Sequence, residues 1–153
     1  MAVNSFSRMI NPFNAPVMLQ GIFHRGFMEI HTGAGLLLDQ PITVVFRGEG
    51  GEIERRPNKP TMAGTASKGK TTTEIWPQLL EEGHAVADLE MDLGALVSVW
   101  KGEAQSEYAE ASVTGTLAIA LKSLGKATSI DAAQTLAQDM WEKRNKNLLP
   151  LAG

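Results

Sequence analysis

The chain has 153 residues, 43% of them hydrophobic and 20% charged, with a net charge of −3. This fits one globular α/β-sized domain over residues 1–153 and argues against a disordered chain or a polycation. It holds no cysteine, which excludes disulfides, thiolate catalysis and cysteine-based zinc sites and leads us to expect a reducing, cytoplasmic setting.

Residues 1–16 are expected to be irregular, because Asn11-Pro12 and Ala15-Pro16 punctuate them and a residue before proline is pushed out of helical geometry. The opening MAVNSFSRMINPF has no signal-peptide core. No apolar run approaches the roughly 20 residues that cross a bilayer, so no membrane partner is expected. VMLQGIF (17–23) has the length of a strand. GFMEIHTGAGLLL (26–38) carries Phe27, Ile30, Ala34, Leu37 and Leu38 at helical spacing. ITVVF (42–46) is continuous, apolar and β-branched, as in a strand covered on both faces. Strand, helix and strand in about thirty residues predict a βαβ unit with a parallel pairing. A polar segment, RGEGGEIERRPNKP, follows. Further on, a helix is expected over 84–100 and another over Tyr108–Leu124, stopped at Gly125. Ser129 then caps a last helix running to about Lys146. The expected fold is α/β: a short, mostly parallel sheet with a βαβ unit, an edge β-hairpin and C-terminal helices.

The hairpin is read from a segment that imitates a phosphate-binding loop. GTASKGKT supplies Gly64, Gly69, Lys70 and Thr71 of the pattern G-x-x-x-x-G-K-[ST]. That cradle needs an interior strand before it and a helix starting at the Lys-Thr. Here two prolines and three cations precede Gly64, three threonines follow Lys70, and Pro77 stands about two turns into any helix begun there. TMAGTA and TTTEIW are instead two short strands, with SKGK as the turn and Gly69 at positive φ. Trp76 is expected in the core.

Five cations, Arg55, Arg56, Lys59, Lys68 and Lys70, lie between residues 55 and 70 with no acid among them, while all 17 acidic residues lie elsewhere. They could contact the phosphates of a nucleic acid. Five such contacts would give a log–log salt slope near about −4.5. They could equally be the charged edge of a solvated hairpin, and no aromatic side chain stands between them for base stacking. His24 falls at the carboxyl end of a strand, where open α/β sheets hold ligands. His31 falls on the following helix and His84 in a loop, with no ligand spacing. GEGGE (48–52) could approach a ligand or simply form a turn. Trp100, Leu117, Leu121, Leu124 and Trp141 read as packing residues.

The order of the pieces carries a resemblance. Asn11-Pro12, the strand ending Gly21-Ile22-Phe23, the helix, the strand into FRGEGGE, and SVTGTLAIALKSLGKATSIDAAQTLAQ together resemble the C-terminal part of the anthranilate phosphoribosyltransferase family. They look closest to its divergent glycosyltransferase-like paralogues, some of which bind nucleic acid. The resemblance spans nearly all of this chain and about the last half of a family member. It implies a parent that binds phosphoribosyl diphosphate or another phosphorylated small molecule, with magnesium, in the cleft beside the sheet. The family's glycine-rich pyrophosphate loop and Lys-His-Gly-Asn region lie upstream of the matching part. Its magnesium-holding Asp-Glu pair falls on Ile53 and Glu54, so Glu54 is a remnant and no cofactor is expected in this chain by itself. Arg55 and Arg56 follow at once. The family's Asn-Leu-Leu-Gly-Pro-Leu is altered to Asn4-Ser5-Phe6-Ser7-Arg8-Met9. From these departures we expect no phosphoribosyl transfer, and either a homo-oligomer or association with a missing N-terminal half.

Overall fold

The computed structural model of the chain describes residues 7–48, 52–81 and 92–148. Strand β1 (Met18–Ile22), helix α1 (Phe27–Leu37) and strand β2 (Ile42–Arg47) form the βαβ unit, and β1 pairs parallel with β2 from Met18↔Thr43 to Ile22↔Arg47. Strands β3 (Thr61–Ser67) and β4 (Lys70–Trp76) continue the sheet antiparallel, giving the order β1-β2-β3-β4. Parallel pairing is thus confined to the βαβ unit of a mixed sheet. Helices α2 (Leu93–Lys101), α3 (Glu107–Ser123) and α4 (Ile130–Glu142) complete the described chain.

The imitation phosphate loop is a two-residue hairpin. Ser67 pairs with Lys70, and between them Lys68 and Gly69 take φ of 50° and 74°, the paired positive values of a type I′ turn. Gly64 lies inside β3 opposite Thr73 rather than at a strand-to-helix junction. Because only glycine enters the left-handed region freely, Gly69→Ala is expected to lower unfolding stability by about 1–2 kcal/mol in urea titration.

Residues 43–46 are buried throughout, since β2 is central and covered on both faces. One face gathers Ile22, Val45 and Met28 of α1, with Met62 beside them. The other gathers Val44, Phe46, Ala63 and Trp76 against Ala118, Ile119 and Leu121 of α3 and Ala133 and Ala137 of α4. The small side chains on α3 and α4 let these helices lie close together, where a larger residue would force strain. Leu117 is partly buried against this core, whereas Leu124 is 44% exposed.

Local chemistry sets the helix ends. Asp92, Ser106 and Ser129 each accept from the amide three residues on, at Ala95, Ala109 and Ala132, satisfying an otherwise orphaned donor. Helix α3 ends at Ser123, and Gly125 follows at φ 70°. The last helix stops at Glu142, short of Lys146. Arg144 leaves the helical path to donate to the carbonyls of Val99 and Trp100 on α2 and of Trp141 on α4, at 2.8–2.9 Å. Its guanidinium stands 3.7 Å from the Trp141 ring centroid and 5.8 Å from that of Trp100, and the two indoles meet edge to face at 5.9 Å. The expected helix over 84–100 begins only at Leu93, because Asp92 is extended and caps it, and residues 84–91 lie outside the described residues.

Candidate functional site

The carboxyl ends of the parallel strands are the natural place for a ligand in this architecture, because both connections leave there and open a crevice. The two ends are tied together: the Gly48 amide donates to the Ile22 carbonyl at 3.2 Å. A Cβ on Gly48 would collide with the Glu52 carbonyl, so the chain folds back too closely for any side chain there. Past β1 come Phe23, His24 and Arg25, all exposed, and past them α1 begins at Phe27 with no side chain capping it. At the end of β2, the exposed Arg47 sets its guanidinium 5.9 Å from the Phe23 ring centroid. His24 lies edge to face with Phe23 at 4.6 Å and tilted toward Phe27 at 6.2 Å. Arg25 reaches only the Met62 sulfur, at 3.5 Å. Neither Arg25 nor Arg47 has an acidic partner among the described residues. The result is two arginines, a histidine and two aromatic rings gathered at one helix N-terminus.

Behind this rim a buried polar chain holds the βαβ unit in register. Gln20 donates from Nε2 to the Arg8 carbonyl at 2.9 Å, and Arg8 donates to the Gly21 carbonyl at 2.7 Å. With its amide nitrogen so used, Gln20 presents Oε1 to His31 Nδ1 at 2.8 Å, which places the imidazole proton on Nδ1. Burial first, and the Arg8 charge second, hold His31 below the ordinary histidine pKa, so the ring is neutral near pH 7 and acts as structure.

The segment 55–70 is not one patch. Arg55 is 1% exposed, pointing under the sheet rather than out of it. Its backbone amide donates to Thr116 Oγ1 at 2.8 Å, its guanidinium donates to the Pro77 carbonyl, and it lies 5.6 Å from the Trp76 ring centroid. A Cβ on Gly115 of α3 would come within 3.2 Å of the Arg55 stem, so that glycine makes the room for it. Burial lowers the Arg55 pKa well below the ordinary arginine value, to about 10. Arg56 is half-buried and Lys59 exposed at one end of the hairpin; Lys68 and Lys70 are exposed at the other. Seven residues of β3 separate those ends, roughly 20 Å of strand. His24 is far along the sheet from the hairpin turn, since β1 and β4 are opposite edges.

The described residues around Glu54 do not fit magnesium. Ile53 offers no oxygen from its side chain, Glu54 is an exposed carboxylate, and the Arg55 cation follows it. Among the described residues no three acidic or histidine side chains gather into a metal-holding group, and such an ion needs several preset oxygen ligands. His84 and residues 49–51 of the glycine-rich stretch lie outside the described residues.

Arg25 and Arg47 were not singled out from the sequence. Their signal was available: each stands at or just past the end of a strand read as parallel, the position that already marked His24.

Compared with protein-family models, the chain matches none, and no curated protein sequence matches it. Among the described residues no helix is long and apolar enough to cross a membrane.

Proposed function

We propose that this chain is a glycosyltransferase-like protein related to the anthranilate phosphoribosyltransferases, and that it binds a phosphorylated small molecule without transferring a phosphoribosyl group. The observation that carries the binding reading is the pairing of Arg47 with Phe23 across the ends of β1 and β2, beside Arg25, His24 and the uncapped start of α1. Two guanidinium groups with no acidic partner among the described residues, beside a helix N-terminus, favour a phosphate. An aromatic ring beside them offers a face for a ribose or a base. The βαβ order and the α3–α4 pair support the family reading, and the absence of cysteine supports a cytoplasmic setting. The poor fit of Glu54 to magnesium supports the lack of transfer chemistry.

The test is an NMR titration with phosphoribosyl diphosphate, and separately with pyrophosphate. Saturable shifts are expected at the amides of His24, Arg25, Gly26 and Gly48. Arg47→Ala should weaken binding about 10–100-fold, the size of a lost charge-assisted hydrogen bond. Lys68→Ala at the hairpin turn should change it little. Anthranilate and the ribosyl donor with magnesium should give no product above background. Shifts confined to Lys59, Lys68 and Lys70 on adding single-stranded oligonucleotide would favour nucleic-acid binding instead. The absence of saturable shifts at the strand ends would sink the proposal.

A further inference from the structure

Strand β4 is an edge of the sheet, with β3 on one side and, among the described residues, no strand on the other. Its pairing with β3 runs without a bulge from Lys70↔Ser67 to Trp76↔Thr61. In a hairpin closed by a two-residue turn the closing pair is hydrogen-bonded, and every second pair after it is too. Lys70, Thr72, Glu74 and Trp76 therefore turn their amides and carbonyls toward β3, whereas those of Thr71, Thr73 and Ile75 point away from the sheet. Among the described residues nothing bonds to these outward groups. Such edges are normally blunted by proline, a bulge or a charge. Here Pro77 comes only after the strand, Lys70 stands at its very start, and Glu74 is neutralised by Lys122 of α3 at 2.9 Å. The middle is three threonines, exposed and β-branched.

Apolar seats beside the edge give the second observation. Between β4 and α3 lies a cleft of about 380 Å³. Its floor is the buried Ala63, Trp76 and Ile119, and Thr72 and Glu74 stand at its mouth. On the other face of β4, Ile75 lies beside Met62 and is 63% exposed. Successive side chains of one extended strand point to opposite faces and so reach both seats. Charge then marks one end of the edge. Lys68 and Lys70 are exposed with no acidic partner among the described residues, and no acid lies between residues 55 and 73.

We propose that β4 takes an extended, acidic peptide segment of a partner protein as a fifth, antiparallel strand of the sheet. The segment's backbone pairs with Thr71, Thr73 and Ile75, the mode of recognition known as strand addition. One apolar side chain rests on Ile75, the next enters the cleft, and the acidic residues end beside Lys68 and Lys70. A peptide suits this edge better than a nucleic acid does, because the open groups are backbone donors and acceptors at every second residue, which another strand matches in register. The ligand site at the ends of β1 and β2 does not depend on this edge, since β1 and β4 are opposite sides of the sheet.

The probe is the peptide Thr-Val-Leu-Thr-Val-Glu-Glu, blocked at both ends, titrated to about 1 mM and followed by NMR of the chain. Saturable shifts and slowed amide exchange are expected at Thr71, Thr73 and Ile75. Replacing Glu-Glu by Lys-Lys should weaken binding about tenfold, as should Lys68→Glu together with Lys70→Glu. N-methylation of the central threonine, whose N–H faces β4, should abolish binding. Methylation of the leucine, whose N–H faces away, should leave most of it. That pair of peptides leaves the protein untouched. Thr73→Pro repeats the test from the protein side, because an outward edge amide is one that a strand can lose. Equal binding of the two methylated peptides, indifference to the sign of the peptide's charge, or no saturable change along β4 would overturn the proposal. So would the same protection arising without peptide as the protein is concentrated, which would put a second copy on the edge.

Discussion

Trp76→Ala is expected to destabilise the protein by about 3–5 kcal/mol, a third or more of the stability of an ordinary domain. Trp76 is the last residue of β4 and is 2% exposed. Its ring belongs to the core formed by Val44, Phe46, Ala63 and Ile119, so removing it takes the edge hairpin off the helices that cover it. The loss also exposes one face of the buried Arg55 guanidinium to a cavity, since that group lies 5.6 Å from the ring centroid. For a chain of this length the thermal midpoint should fall on the order of 10 °C. Trp76→Phe, which keeps an apolar ring, should recover much of the difference. Urea unfolding followed by circular dichroism measures both, and a cost below about 1 kcal/mol for the alanine variant would show that the hairpin is not seated as described.

The second large effect concerns Arg55, where charge and bulk pull in opposite directions. Its lowered pKa means that burial disfavours the charged form by roughly 3 kcal/mol. The folded pKa is depressed below the unfolded one. The penalty is therefore present in full below pH 10 and is relieved as pH rises above about 10 toward the unfolded value, where the unfolded chain holds the extra proton. Against it stand the hydrogen bond to the Pro77 carbonyl and the contact with Trp76, each worth about 1–3 kcal/mol. Arg55→Met removes all three terms while filling the space, so it should leave stability within about 1 kcal/mol of the natural chain. Arg55→Ala leaves a void beside Trp76 and Gly115 and should cost about 3 kcal/mol or more. Denaturant titration of the two variants separates bulk from charge. If Arg55 instead serves a phosphate ligand, Arg55→Met will fold normally and weaken binding of the oligonucleotide or the diphosphate.

Local signals in the sequence were sufficient for the elements whose structure is local. The hairpin could be read because three successive threonines, Pro77 and a Lys-Gly turn agree with one another. Ser106 and Ser129 mark helix starts by their own chemistry. The central strand announced its double burial through an unbroken β-branched run. What escaped depends on distant partners. Arg55 reads as one of five surface cations until Gly115 and Trp76, brought from 60 and 21 residues away, close around it. The end of α4 was misjudged because helical propensity continues toward Lys146, whereas Arg144 gains three carbonyls by leaving the helix. The helix in the βαβ unit was legible from the spacing of its apolar residues, but not its orientation: apolar side chains lie on every side, and the sheet selects Gly35, which packs onto Thr43, and His31, which meets Gln20. At the candidate site the histidine was visible alone. Its arginine neighbours become a group only when parallel pairing aligns the ends of β1 and β2.

The Arg144 arrangement has a consequence for how the molecule breathes. Helix α2 buries none of its nine residues, so little hydrophobic adhesion retains it. One guanidinium grips the tail of α2 and the tail of α4 beside two indoles, and the Trp100 indole adds a bond of its own to the Asn145 carbonyl. Adhesion of this flank therefore rests on a few directional polar contacts at one end of the helix, whereas the sheet and the α3–α4 pair are held by buried apolar surface.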